Sequence, residues 1–314
     1  MISPILRKTF STIRQRMAVP AQEILSQSSP REMAIPFDTK PFPLGRFEPC
    51  CPAPSSPASQ NGFVPCSKHS MPAVLGRKID LTDPMPTRGS DRHVVVCIGP
   101  NGAEWDKAKV EALKGGMVWR LNEKESAWMK EGNRPLPDKE ILTTVCDRPE
   151  MHANGVDVIF FPDFKIYSSI QPDSLSSSSE SSFLSTMKSV WQNPSNRVSG
   201  GEEVTADTVI LVCTHTMRDK RCGVLGPLIV DEFKRVLKEK NLLKTPNGKG
   251  GVEVWGTSHF GGHKFAGNII IHQKGLGGHM YGNVRQCHVE DVVDRHIINR
   301  KVIRELWRGQ VTPP

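Results

Sequence analysis

Hydrophobic and polar positions divide the chain into stretches of different patterning. Near the start, Ile2, Leu6, Phe10, Ile13 and Met17 recur at spacings of three and four, placing them on one helical face. Residues 23–90 show little periodicity and are rich in Pro, Ser and Gly, the pattern of an irregular arm. Order is expected to begin between Asp80 and Arg92. HVVVCIG (93–99) is a short β-branched run closed by glycine, which predicts a buried strand with Cys97 in the core. EWDKAKVEALKGG (104–116) predicts a helix with a glycine stop, and GVDVIFFPDF (155–164) a second buried strand closed by Pro162. Residues 91–167 thus form a small α/β unit. Residues 168–204 break the pattern with a serine-rich, weakly apolar run, expected to be a flexible linker or surface insertion.

Residues 205–314 are more regular. TVILVC (208–213) predicts a strand. GVLGPLIVDEFKRVLKEKN (223–241) predicts a helix with Leu225, Ile229, Phe233, Val236 and Leu237 on its apolar face and Pro227 in its first turn. GVEVWGTS (251–258) and FAGNIIIH (265–272) predict two more strands, and GLGGHMYGNVR (275–285) a turn and a fourth. Residues 289–308 read as helical. This β-α-β-β-α order is that of a thioredoxin-like core, an α/β fold in which helices cover a sheet. Sites in such sheets lie in loops at the strand ends.

Composition narrows the function. With 314 residues, 37% hydrophobic and 24% charged, the chain has room for two domains. No apolar run approaches the roughly 20 residues of a membrane span. The net charge is +8, but aromatics are only 6% and no stripe mixes them with basic residues, so nucleic-acid binding is not expected. Residues 1–22 carry Arg7, Lys8, Arg14 and Arg16, several hydroxyl residues and no acid, the profile of a mitochondrial presequence. A basic tail without structure is the alternative. The eight cysteines are irregularly spaced, which favours a reducing compartment over a disulfide scaffold.

The chemistry concentrates late in the chain. Cys213 and Cys222 lie in VCTHTMRDKRCG, and His259 and His263 in WGTSHFGGHKFAGN. Two thiolates and two imidazoles suit a [2Fe–2S] cluster with one Cys-bound and one His-bound iron, and equally a tetrahedral zinc. Arg218, Lys220 and Arg221 and a helix N-terminus would lower the thiol pKa values. Gly261 and Gly262 between the histidines argue for a loop that wraps a bulky centre. Phe260 stands where a metalloprotease helix needs Glu, so HExxH chemistry fails. His215 is a reserve ligand, and Thr257 and Asn268 are candidates to orient the imidazoles. No phosphate loop or nucleophile–base pair can be defended.

The stretch from Thr208 to Gly309 resembles the sucrase/ferredoxin-like family of thioredoxin-like ferredoxins. HFGGHKFAGN, GHMYGNV and the terminal LWRG resemble its fungal branch with bis-histidine ligation. The tandem first half and the basic start are similar to the altered inheritance of mitochondria protein 32 family. The resemblance implies a thioredoxin-like ferredoxin domain preceded by a smaller, degenerate α/β domain. It implies a [2Fe–2S] cofactor on Cys213, Cys222, His259 and His263. It further implies electron transfer or thiol quality control in mitochondria, matrix or intermembrane space, with the cytosol as a second address. The protein would be an electron carrier or redox sensor serving a redox partner protein, rather than a catalyst with its own substrate. Two other readings stay open: a structural zinc module, and a metal-free dithiol oxidoreductase using Cys213 and Cys222. The roles of the first half and of Cys50, Cys51 and Cys66 stay open too.

Overall fold

The computed structural model describes residues 35–38, 79–80, 83–149, 155–176, 181–246 and 248–312. The presequence expectation and Cys50, Cys51 and Cys66 lie outside these residues. The chain divides into Met1–Ile35 and Pro36–Pro314, and every described strand and helix belongs to the second unit.

Two copies of one topology make up that unit. In the first, β1 (Arg92–Cys97) leads through α1 (Met117–Lys130) to the parallel neighbour β2 (Ile141–Cys146). The chain then adds β3 (Val156–Phe161) antiparallel to β1, and β4 (Lys165–Ile170) antiparallel to β3. Helix α2 (Ser182–Gln192) and the short β5 (Glu202–Glu203) close this repeat. The second repeat has β6 (Thr208–Cys213), α3 (Lys220–Glu239), parallel β7 (Val252–Thr257), then β8 (Ile269–Gln273) and β9 (Gly277–Tyr281) antiparallel in turn. One turn of α-helix, α4 (Val289–Val292), runs into a π turn, and β10 (Trp307–Thr312) pairs with β9. The fold class is α/β, as expected.

All strands join one sheet in the order β10-β9-β8-β6-β7-β2-β1-β3-β4-β5. The repeats meet where β2 and β7 end, through an antiparallel Cys146–Thr257 pair. Backbone bonds from Asp147 N–H to Gly256 O (3.1 Å) and from Ser258 N–H to Val145 O (2.9 Å) extend that junction. The loop-bearing ends of the two repeats therefore lie side by side.

The continuous apolar runs of β1 and β6 arise because both faces of each strand are covered. Val94 and Val96 pack with Met117, Leu121, Phe183 and Met187 of the helices in one cluster. His93, on the other face of β1, meets His272 of β8 at 2.9 Å. Phe161 stacks on His272 at 3.9 Å, nearly parallel.

Four local expectations differ from the structure. Residues 104–116 form only short 3₁₀ turns, and the helix starts after Gly116, as α1. The stretch 168–204, expected as linker, holds α2, whose Phe183, Leu184, Met187, Val190 and Trp191 are buried. Each such side chain contributes about 1.5–3 kcal/mol on burial, enough to outweigh the serine-rich composition. Pro227 lies well inside α3, because Asp219 starts that helix at Lys220 by accepting from the Arg221 backbone N–H at 2.9 Å. Residues 289–308 are helical only to Ile298 and again in a 3₁₀ turn at Arg304–Leu306, and the edge strand β10 follows.

Candidate metal centre

β6 ends on Cys213, and the first turn of α3 presents Cys222 beside it. Both thiols are buried. Helix and strand approach closely at Gly226, where a Cβ would lie 2.4 Å from the Cys213 carbonyl oxygen. Hydrogen bonding from Cys222 pulls the Cys213 thiol down to about 6; burial opposes this and His259 adds to it. The Cys222 thiol is pushed up by that same hydrogen bond and by burial. The pair thus favours one thiolate and resists a second unless a cation arrives.

The Cys–Cys loop is set by Asp219, whose carboxylate binds the Arg221 guanidinium at 2.9 Å on both oxygens. Burial opposes ionisation of Asp219, but Arg221 outweighs it and holds the carboxyl at about 2.

After Thr257 the chain leaves β7 as a loop, as the two glycines foretold. Gly261 and Gly262 have φ of +99° and +68°, the left-handed region where a side chain is strained. His259 and His263 bracket them, with His263 Nδ1 at 3.4 Å from His259 Nε2. The ligand atoms of Cys213, Cys222 and His259 all lie within 4.8 Å of one another. His263 adjoins this group through His259 but is not part of it. Burial lowers the His263 pKa and the His259 charge adds to that, so its ring is disposed to be neutral, the form that binds metal.

His215, the reserve ligand, is buried beside the group. Its Nδ1 accepts from the His259 backbone N–H at 3.4 Å, and its ring meets the edge of Trp105 at 5.7 Å. The first repeat therefore reaches the site.

The donor set fits a soft or borderline metal, and one observation supports the fit. His259 Nδ1 is buried with no hydrogen-bond partner among the described residues. Such nitrogens are costly to leave unmet.

The two residues expected to orient the imidazoles do something else. Thr257 Oγ1 donates to Val145 O at 2.9 Å, stitching the repeats together. Asn268 Nδ2 donates to Gly262 O at 3.0 Å, and its Oδ1 accepts from Arg308. Asn268 thus fixes the loop backbone rather than a ring. Arg308, in the LWRG motif, was not read as a site residue; nothing local in sequence links it to a loop some 45 positions earlier.

A cavity of about 650 Å³ opens beside His259. Glu125, Leu142 and Trp191 line it from the first repeat, and Arg218, His259 and Phe260 from the second. Burial raises the Glu125 carboxyl to about 7, a hydrogen bond with Trp191 offsetting part of the effect. No helix among the described residues is long and apolar enough to cross a membrane.

The chain is 37% identical over 131 residues to altered inheritance of mitochondria protein 32 of Debaryomyces hansenii, covering 41% of this chain and 44% of that protein. The Eremothecium gossypii protein of that name is 23% identical over 301 residues, 83% of this chain and 89% of its own. Actin patches distal protein 1 of Saccharomyces cerevisiae is 33% identical over 92 residues, 28% of this chain and 29% of its own. The chain spans under half the length of the Debaryomyces, Clavispora and Meyerozyma relatives, 44%, 34% and 37%. A thioredoxin-like [2Fe–2S] ferredoxin from Aquifex aeolicus is 17% identical with a TM-score of 0.26, covering 34% of this chain and 94% of its own. The sucrase/ferredoxin-like family model matches residues 85–309, well over half of the sequence, and the chain belongs to that family.

Proposed function

We propose that the protein is a [2Fe–2S] electron-transfer protein with Cys213 and Cys222 on one iron and His259 and His263 on the other. The observation that carries this reading is the convergence of two buried thiols with His259, and of His263 on His259. When bound, the cluster would supply one-electron redox chemistry, with a potential raised by the neutral imidazoles over an all-thiolate site.

This chain's own residues do the rest. Asp219 and Arg221 hold the loop that presents Cys222. Arg218 and Arg221 add to burial and the His259 charge in lowering the His263 pKa, which favours its neutral ring. Trp105 and the first repeat screen His215 from water, and the unmatched ring nitrogen of His259 is available as a donor. Its partner would be a redox protein. The acid-free basic start and the relatives' name support a mitochondrial setting.

A structural zinc is the second reading, because a Cys₂His group within 4.8 Å is compact enough for a single ion. Iron and zinc analysis with the visible spectrum of anaerobically purified protein separates the two. A coloured protein with about two irons per chain supports the cluster. A colourless zinc protein that stays colourless after reconstitution overturns it.

A further inference from the structure

Arg308 is a charge in an unusual place. It sits on edge strand β10, yet its side chain is buried. Its Nη1 donates to Asn268 Oδ1 and reaches Gly261 O at 3.4 Å, while its Nε has no hydrogen-bond partner among the described residues. A Cβ on Gly262 would fall 2.0 Å from its Nη2, so the histidine loop lies directly on the guanidinium. Asn268 closes the arrangement by donating to Gly262 O at 3.0 Å. Among the described residues no carboxylate pairs with Arg308, and the thiolates of Cys213 and Cys222 favour its charge. Burial lowers its pKa to about 10, with Arg88 adding to this, so it remains a cation at neutral pH. An uncompensated buried cation is costly unless something else needs it.

We propose that Arg308, packed against the His259–His263 loop, is the fixed positive charge of this centre and raises the redox potential of the cluster bound there. The part concerning potential rests on the [2Fe–2S] reading; the part concerning charge does not. A buried cation stabilises the reduced, more negative cluster, and it opposes the binding of any dication to the same ligands.

The test compares wild type with Arg308→Gln, Arg308→Met and Arg308→Lys in two measurements on the full chain. The first is cobalt(II) affinity of the metal-free protein, by competition with a chelator. The neutral variants should bind cobalt(II) about threefold tighter or more, and Arg308→Lys should match wild type. The second is the midpoint potential of the cluster-loaded proteins, by EPR-monitored titration at low and high salt. Both neutral variants should titrate at lower potential than wild type, with a difference that survives high salt because the charge is buried. Arg308→Lys should keep the wild-type potential. A folded neutral variant with wild-type cobalt(II) affinity and potential overturns the inference. If neither neutral variant folds, Arg308→Lys decides: a fall in its potential, or a cobalt(II) affinity unlike wild type, overturns it. Wild type that takes up no iron would sink the cluster reading alone, since cobalt(II) affinity still tests the charge.

Discussion

His259 Nε2 and His263 Nδ1 lie 3.4 Å apart across a four-residue step whose two glycines have positive φ. Neither ring is held by a carboxylate among the described residues. His263 is only half-buried, so its ring can exchange protons with the medium.

That freedom has a measurable sign. Reduction adds negative charge and makes a ligating imidazole more basic, so the reduced state takes up a proton. The midpoint potential should therefore fall as pH rises through the imidazole titration. His263→Cys should lower the potential and flatten this slope, because an anionic thiolate replaces a neutral, protonatable ring. Protein-film voltammetry across pH checks both; a His263→Cys protein with the wild-type slope and potential contradicts the ligand assignment.

Gly262 should be intolerant of any side chain. Ala at φ +68° costs about 1–2 kcal/mol from backbone conformation alone, before the contact with Arg308. Gly262→Ala should lower the urea midpoint and weaken metal binding together. Unchanged values in both would show that the loop and Arg308 separate freely.

The buried histidines predict acid lability. Burial lowers His93 to about 3 and His279 to about 4, and lowers His272, His288 and His296 as well. Their folded pKa values lie below the unfolded value of about 6.5, so the unfolded chain binds more protons in between. Their contribution is fully present above about pH 6.5 and is lost as pH falls toward 3 to 4. Each histidine can contribute a slope of up to about 1.4 kcal/mol per pH unit. Urea unfolding at pH 7, 6 and 5 should show a steep loss of stability; a flat profile would mean these rings are solvated.

Helix α2 is part of the core. Phe183→Ala removes a ring packed against Phe160 and Tyr167 and should cost about 3–5 kcal/mol. A linker would show no such loss in chemical denaturation.

What could be read in advance followed from local chemistry. Strands β6, β7 and β8 announce themselves as apolar runs, and the spacing of two Cys and two His singles out a candidate site, of which the structure gathers Cys213, Cys222 and His259. Helix α1 did not, because MVWRLNEKESAWMK gathers its apolar residues at its two ends around a polar NEKES centre and follows two glycines that look like an ending. Helix α2 was hidden by neighbouring serines, although Phe183, Met187, Val190 and Trp191 keep helical spacing. Residues 307–312 carry a strand because β9 offers an open edge, which is a tertiary fact. The same holds for Asn268 and Arg308, whose partners are chosen by folding and not by sequence proximity.

Pulsed EPR of the dithionite-reduced protein tests the central claim most directly. Two sets of nitrogen couplings on a [2Fe–2S] signal, one of them lost in His263→Cys, is the predicted result. A reduced cluster with no nitrogen coupling, or no cluster signal in fully reconstituted protein, would contradict the bis-histidine centre.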